Sequence, residues 1–240
     1  MARPSRTGSA KLGTVLITSF PTGMLRANCY VVAPQPGGEA IVIDPGQGAL
    51  RPLRRALDSN RLTPTGVLLT HGHLDHIWAA QRVCDTFGIP AYIHGADRVL
   101  LRDPIKGFGP RLGQVIAGAL FSEPKRVIEL CPDDQDGDKL DIAGITVAVD
   151  HTPGHTRGSV AFRLTGAGSR VGTVFTGDTL FRQSVGRTDL WGGGGRDLLN
   201  SIVTKLLVLD DDTVVLPGHG ESTTIGAERR TNPFLEGLTP

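Results

Sequence analysis

The 240-residue chain is 39% hydrophobic, enough to bury a substantial core as one large domain or as two packed halves. Its 25 Lys and Arg nearly cancel 24 Asp and Glu, leaving a net charge of +1, which excludes the basic footprint of a nucleic-acid binder and an electrostatic attachment to anionic membranes. Small molecules are therefore the expected partners. Cys29, Cys84 and Cys131 contain no C-x-x-C pair, so reduced thiols filling the core of a cytoplasmic protein are expected rather than a disulfide framework.

The basic start "MARPSRTGSAK" and the apolar "LGTVLITSF" that follows superficially resemble a secretory signal. Thr14, Thr18 and Ser19 interrupt the run and Pro21 ends it. The stretch from Leu12 to Phe20 reads instead as a first strand, with residues 1–10 as a loose tail and 11–240 as a single domain in two halves meeting near residue 150. No apolar run approaches the ~20 residues of a membrane span. Further strands are expected in "NCYVVA", "AIVID", "GVLLT", "AYIH", "ITVAVDH", "SVAFRL", "GTVFTG" and "TVVLPG", each bounded by turn chemistry. Helices are expected over Leu50 to Asn60, Asp75 to Phe87, Ala96 to Asp103, Arg111 to Phe121 and Asp197 to Leu207. In the second, Ile77, Ala80, Cys84 and Phe87 share one face, Asp75 is placed to cap the start, and Gly88 with Pro90 stops it. The acidic "CPDDQDGDKLD" reads as a solvated turn. Strand-rich meanders each followed by helices predict two sheets packed face to face with helices outside.

The segment "LLTHGHLDHIWAA" gathers His71, His73, Asp75 and His76 directly behind an apolar strand. Side chains two apart at a strand end point the same way, so His71 and His73 can grip one ion together. The turn into a helix re-aims Asp75 and His76 as a second pair of donors. Two imidazoles do not complete a tetrahedral site. Further donors stand in Gly-flanked turns after later strands: His155 in "DHTPGHTRGS", Asp178 in "FTGDTL" and His219 in "VLPGHGES". His94 and His151 lack this arrangement and read as ordinary hydrogen-bonded histidines.

The motif T-H-G-H-L-D-H, followed in order by "TPGHTRGS", "TGDTLF" and "PGHG", resembles the metallo-β-lactamase superfamily, and within it the glyoxalase II-like hydroxyacylglutathione hydrolases. The resemblance runs from the first strands to about Glu221. It implies an αββα sandwich with two mixed sheets and a dinuclear metal site at one edge. His71, His73 and His155 would then hold the first ion and Asp75, His76 and His219 the second, with Asp178 bridging both. Asp75 and Asp178 are the expected catalytic carboxylates. Two divalent ions, zinc above iron or manganese, are the implied cofactors. Asp44, at the end of "AIVID", resembles the family's carboxylate that orients a ligand histidine; it is equally suited to starting the Pro45-Gly46 turn.

Departures from the family's members sharpen the expectation. Asp178 stands where lactamases of the superfamily commonly carry Cys, which points away from a β-lactam substrate. The chain ends soon after His219, as in shorter bacterial forms without the helical C-terminal region that clamps glutathione. In "SVGRTDLWGG" the basic residue for the substrate is kept as Arg187, but Asp189 replaces the aromatic one. The expected reaction is hydrolysis of a small-molecule thioester by a metal-activated hydroxide, since a thiolate leaves without a strong general acid. The alternatives are a persulfide dioxygenase-like enzyme with one iron, or hydrolysis of another ester or lactone.

Overall fold

In the computed structural model of the chain, residues 8–12, 15–108, 122–131, 138–165 and 172–238 are described. The first sheet starts with β1 (Gly8–Leu12), β2 (Val15–Thr22), β3 (Ala27–Ala33) and β4 (Glu39–Ile43), an antiparallel meander. After α1 (Leu50–Asn60) the pairing becomes parallel through β5 (Thr63–Leu68). Two helices, α2 (Leu74–Ile77) and α3 (Ala80–Phe87), lead to β6 (Ala91–His94). Then α4 (Arg98–Arg102) leads to β7 (Val127–Leu130), which completes seven strands in sequential order. The chain changes sheets between Leu130 and Asp138. The second sheet takes β8 (Asp138–Ile142), β9 (Ile145–His151), β10 (Val160–Thr165) and β11 (Thr173–Gly177). A small hairpin follows, of β12 (Leu180–Phe181) and β13 (Ser184–Val185), then α5 (Gly195–Ser201) with a wider turn over Ile202–Leu206. The strands β14 (Val214–Pro217) and β15 (Thr223–Thr224) and the helix α6 (Ile225–Thr231) end it. Its order is β15-β14-β11-β10-β9-β8.

Three apolar clusters separate four layers, and strand alternation assigns residues to them. Along β3, Tyr30 and Val32 point between the sheets, where they meet Val149, Phe162 and Phe175 of the second sheet. Cys29, Val31 and Ala33 point the other way, onto Leu53, Leu57, Val83 and Cys84 of α1 and α3. On the far side Ala161, Val174 and Val215 pack under Leu198, Ile202 and Ile225. Strands covered on both faces need apolar residues at every position, which is why they read as continuous apolar runs. The expected αββα sandwich is thus the observed fold. Tyr30 binds the sheets together: its ring meets Phe175 edge-on at 5.0 Å and its hydroxyl donates to Pro217 O at 2.6 Å.

The structure corrects several local expectations. The helix expected from Asp75 to Phe87 is two helices, because the Ala79 N–H donates to Pro45 O at 2.9 Å rather than continuing a helical ladder. Asp75 does not cap it: His73 holds the N-cap position, without a side-chain cap bond. Gly88 ends it as expected, in the left-handed region at φ 70°. Cys131 is exposed rather than core filler, since β7 is the edge strand of its sheet; Cys29 and Cys84 are buried. Gly8–Leu12 pairs with β2, so strand structure begins before Leu12. The expected helix from Arg111 to Phe121 and most of the acidic turn lie outside the described residues. Among those described, no helix is long and apolar enough to cross a membrane.

The topology positions the site. In the first sheet β4, β5 and β6 run parallel. In the second, β9 and β11 both pair antiparallel with β10, and β14 runs parallel to β11. The turns after β4, β5, β6, β9, β11 and β14 therefore collect at one edge. Val160 N donates to Thr70 O at 2.8 Å and Asn28 N to Gly218 O at 2.7 Å, stitching the two sheets there.

Candidate metal centre

Four histidines at this edge each pin one ring nitrogen on the protein and turn the other inward. His76 Nδ1 donates to Asp44 Oδ2 at 3.0 Å. His155 Nδ1 donates to Arg187 O at 2.8 Å and His219 Nδ1 to Leu25 O at 3.0 Å. For His71 the tautomer follows by elimination: the single hydroxyl proton of Thr70 goes to Asp44 Oδ2 at 2.6 Å, so Thr70 Oγ1 accepts from His71 Nδ1 at 3.0 Å. His71 Nε2 is left as an unprotonated, buried lone pair with no hydrogen-bond partner. Such outer contacts fix ligand tautomer and ring orientation.

The inward atoms form two groups, His71 with His73 and His155, and Asp75 with His76 and His219, each with donor atoms within 4.8 Å of one another. His73 Nδ1 and His155 Nε2 are 2.8 Å apart, and His76 Nε2 and His219 Nε2 are 3.2 Å apart. Asp178 stands between the groups, with Oδ1 at 3.4 Å from His76 and Oδ2 at 3.6 Å from His155 and 3.5 Å from His219. Buried Asp178 Oδ1 also lacks a hydrogen-bond partner. Orphaned, buried imidazole and carboxylate lone pairs converging on common points fit divalent cations bound by nitrogen and oxygen. Asp44 also clusters with His71 and His76, but its oxygens are occupied by Thr70 N at 2.8 Å, Thr70 Oγ1 and His76 Nδ1. It thereby fixes the rings of His76 and, through Thr70, His71, and at φ 50° it also makes the turn into Pro45.

Glycines make room for this crowding. A Cβ on Gly218 would collide with Asp178 Oδ1 and His76 Cε1, and one on Gly177, at φ 49°, would collide with Thr70.

Charge divides the histidines. Burial, reinforced by His76, holds His71 well below the ordinary imidazole value, and burial with His155 takes His73 to about 3. Both are neutral donors at physiological pH. Burial pulls His76 and His219 down as well, yet Asp178 and Asp44 outweigh it for His76, as Asp75 and Asp178 do for His219, and both end above the ordinary value. Burial raises Asp178 and Asp75, but the facing histidines win and keep both carboxyls ionised.

Asp97, just beyond β6, had no signal in the sequence beyond being an acid after a parallel strand at the same edge. It is fully buried and accepts from Gly72 N at 2.8 Å, Thr156 Oγ1 at 2.6 Å and Gly158 N at 2.8 Å. It therefore ties the loop carrying His71 and His73 to the loop carrying His155. Burial pushes its carboxyl up, with those hydrogen bonds opposing. Arg187 lines the mouth, a pocket of about 270 Å³ shared with Leu25, Leu190, His73, Asp75, His155, Asp178 and His219. Its guanidinium forks onto Asp189 at 2.7 and 2.8 Å. His94 and His151 stand apart, stacked at 4.3 Å. A larger groove of about 790 Å³ beside α1, lined by Arg51, Arg54 and Arg55, contains none of the clustered donors.

A four-layer sandwich with two His/Asp clusters at one sheet edge defines a class of metal-dependent hydrolases. Residues 22–219 match the metallo-β-lactamase superfamily, and the chain belongs to that superfamily. An uncharacterised protein of Mycobacterium tuberculosis is 67% identical over 94% of this chain and 100% of its own. Hydroxyacylglutathione hydrolase GloC of Haemophilus influenzae is 36% identical over 91% of this chain and 97% of its own. Among solved structures, the B3 metallo-β-lactamase BLEG-1 superposes with a TM-score of 0.78 at 40% identity, covering 92% of this chain and 100% of its own. TTHA1623 in a di-iron-bound form gives 0.72 at 35% identity, covering 90% and 99%.

Proposed function

We propose that the chain is a dinuclear metal hydrolase acting on thioesters. The observation that carries this reading is Asp178, whose two oxygens face His76 of one donor group and His155 of the other. His71, His73 and His155 would hold one ion, Asp75, His76 and His219 the other, and Asp178 both; zinc suits this nitrogen-rich set, and iron or manganese fits it too. Bound there, the ions would lower the pKa of a shared water to about 7 and polarise the substrate carbonyl.

The chain's own residues do the rest. Asp75 and Asp178, the carboxylates at the mouth, accept hydrogen bonds from the attacking water and aim its lone pair at the carbonyl carbon. Water adds, the C–S bond breaks, and the thiol leaves as an anion without needing an acid beside it. One water oxygen enters the carboxylate product, and its protons pass through the mouth carboxylates to solvent. Asp44, Thr70 and Asp97 hold the imidazoles in place, so little reorganisation accompanies the reaction.

The test is metal analysis joined to a substrate panel of lactoyl and other thioesters, lactones and β-lactams, with an oxygen electrode beside it. Close to two metals per chain and thioester turnover are expected, with β-lactam turnover negligible. The likeness to BLEG-1 makes the β-lactam arm necessary: efficient penicillin hydrolysis with inert thioesters would overturn the proposal. So would a single tightly bound iron with oxygen consumption on a persulfide.

A further inference from the structure

Seven large hydrophobic residues are exposed among the described residues, and three of them, Met24, Leu25 and Trp78, gather at one place. Met24 is 92% exposed, Leu25 63% and Trp78 41%. Isolated exposed apolar residues need no explanation, but a contiguous apolar surface beside a reactive centre does. With Gly23, Leu74 and Asp75 they line a depression of about 300 Å³. It is continuous with the candidate metal centre, because Leu25 and Asp75 line both.

The turn that presents Met24 and Leu25 is fixed by backbone contacts. Thr22 Oγ1 donates to Ala27 O at 2.9 Å across it, Gly23 and Arg26 take left-handed φ values of 63° and 58°, and Leu25 O holds His219 Nδ1. The apolar side chains are thus set at a fixed place relative to a ligand histidine. The rest of the mouth is polar: Arg187 lines it with its guanidinium forked onto Asp189, beside Asp75, Asp178 and the histidines.

We infer that the Met24–Leu25–Trp78 shelf binds the apolar acyl arm of the substrate, so that the enzyme prefers thioesters of longer aliphatic or aromatic acyl groups over small hydroxyacyl ones. This rests on the thioesterase reading of the site. The assignment of arms follows from polarity: a polar carrier thiol suits the hydrogen-bonding side of the mouth at Arg187 and Asp189, which leaves the apolar acyl arm for the shelf. Removing an apolar chain from water on such a surface strengthens binding with each methylene.

The experiment uses the full, zinc-loaded chain and glutathione thioesters from acetyl to octanoyl, so that only the acyl arm changes. In the wild type kcat/KM rises by about two- to fourfold per methylene until the shelf is filled. Trp78→Ala and Leu25→Ser lower that increment towards one, and Met24→Ser, at the most exposed position, serves if either fails to fold. Calorimetric Kd values for S-alkyl glutathione thioethers, which cannot be hydrolysed, fall with alkyl length in the same proportion. Thioester hydrolysis with no dependence on acyl length would overturn the shelf while leaving the proposed function standing. Length-dependent thioether binding without thioester hydrolysis would sustain the shelf and sink the thioesterase. A dimer that Leu25→Ser dissociates, with flat acyl dependence, would make the surface a subunit contact and end the proposal.

Discussion

Asp97 and Asp178 do different work with the same carboxylate, and substitutions separate them. Asp178→Ala removes the carboxylate whose oxygens face both donor groups, so metal content should drop from near two per chain to one or fewer, measured by elemental analysis after gel filtration. Asp97→Ala leaves every clustered donor in place but strands the buried N–H groups of Gly72 and Gly158, each costing about 1–3 kcal/mol. A stability loss of roughly 3 kcal/mol or more in urea titration is expected, with metal affinity about 10–100-fold weaker. Unchanged metal affinity in a folded variant would show that Asp97 serves the fold alone. Arg187 joins the mouth while pairing with Asp189. Asp189→Asn should free the guanidinium and lower KM for an anionic thioester, leaving KM for a neutral one as it was; equal effects on both would mean that the pair only pins the loop. The donor residues that converge at the sheet edge were legible because H-x-H at a strand end and acids or imidazoles in Gly-flanked turns carry spacing. Asp97 was not, since its partners are backbone N–H groups of two loops distant in sequence, and nothing in a linear pattern marks them.

Between elements, what was legible depended on burial. Strands inside their sheets, such as Ala91–His94 and Ile145–His151, were read with their observed bounds because apolar runs flanked by turn residues have few other meanings. The edge strand Val127–Leu130 went unread, and the last part of the expected acidic turn is corrected to the edge strand Asp138–Ile142, because charged residues on edge strands mimic loops. The break between α2 and α3 was hidden for another reason: the competing acceptor, Pro45 O, belongs to a different part of the chain. The short helix α4 is held from outside its own sequence too. Arg98 and Arg102 both donate to Glu123, whose carboxyl is drawn by Arg102 first, then Arg98, against burial, from 4.5 to about 2. A depressed carboxyl contributes stability that is present above its unfolded value and lost as pH falls through the folded one. The wild type should therefore lose this contribution between about pH 4.5 and 2, and Glu123→Gln should lack it already at neutral pH. Tm measured against pH for both proteins checks this. The effect is small and falls with salt, since these side chains are partly in water; parallel curves at low salt would show that the cluster does not anchor α4.

For the molecule as a whole, the site joins the two sheets, so its protonation and its metal content both act on the stability of the entire sandwich. In the metal-free protein His76 and His219 sit above their ordinary value through the facing carboxylates, so folding favours their charged forms. A raised imidazole contributes stability that is fully present below its unfolded value near 6.5 and is lost as pH rises through the folded value. The metal-free protein should therefore lose this contribution as pH is raised above 6.5. The loaded protein should behave oppositely, since both imidazoles must surrender their protons to ligate, and metal affinity gains roughly tenfold per pH unit for each proton released. At a thousandfold excess over Kd the bound metal stabilises by about 4 kcal/mol, or roughly 10 °C in a chain of this length. The gap in Tm between loaded and chelator-stripped protein should accordingly widen from pH 6.5 to 8.5, as metal is released and retained by the same two histidines. His76→Gln removes one of the protons at issue and should shrink both the gap and its pH dependence. Calorimetric scans of the stripped and zinc-saturated wild type at four pH values decide the matter, and a gap independent of pH across that range would show that His76 and His219 do not bind the metal.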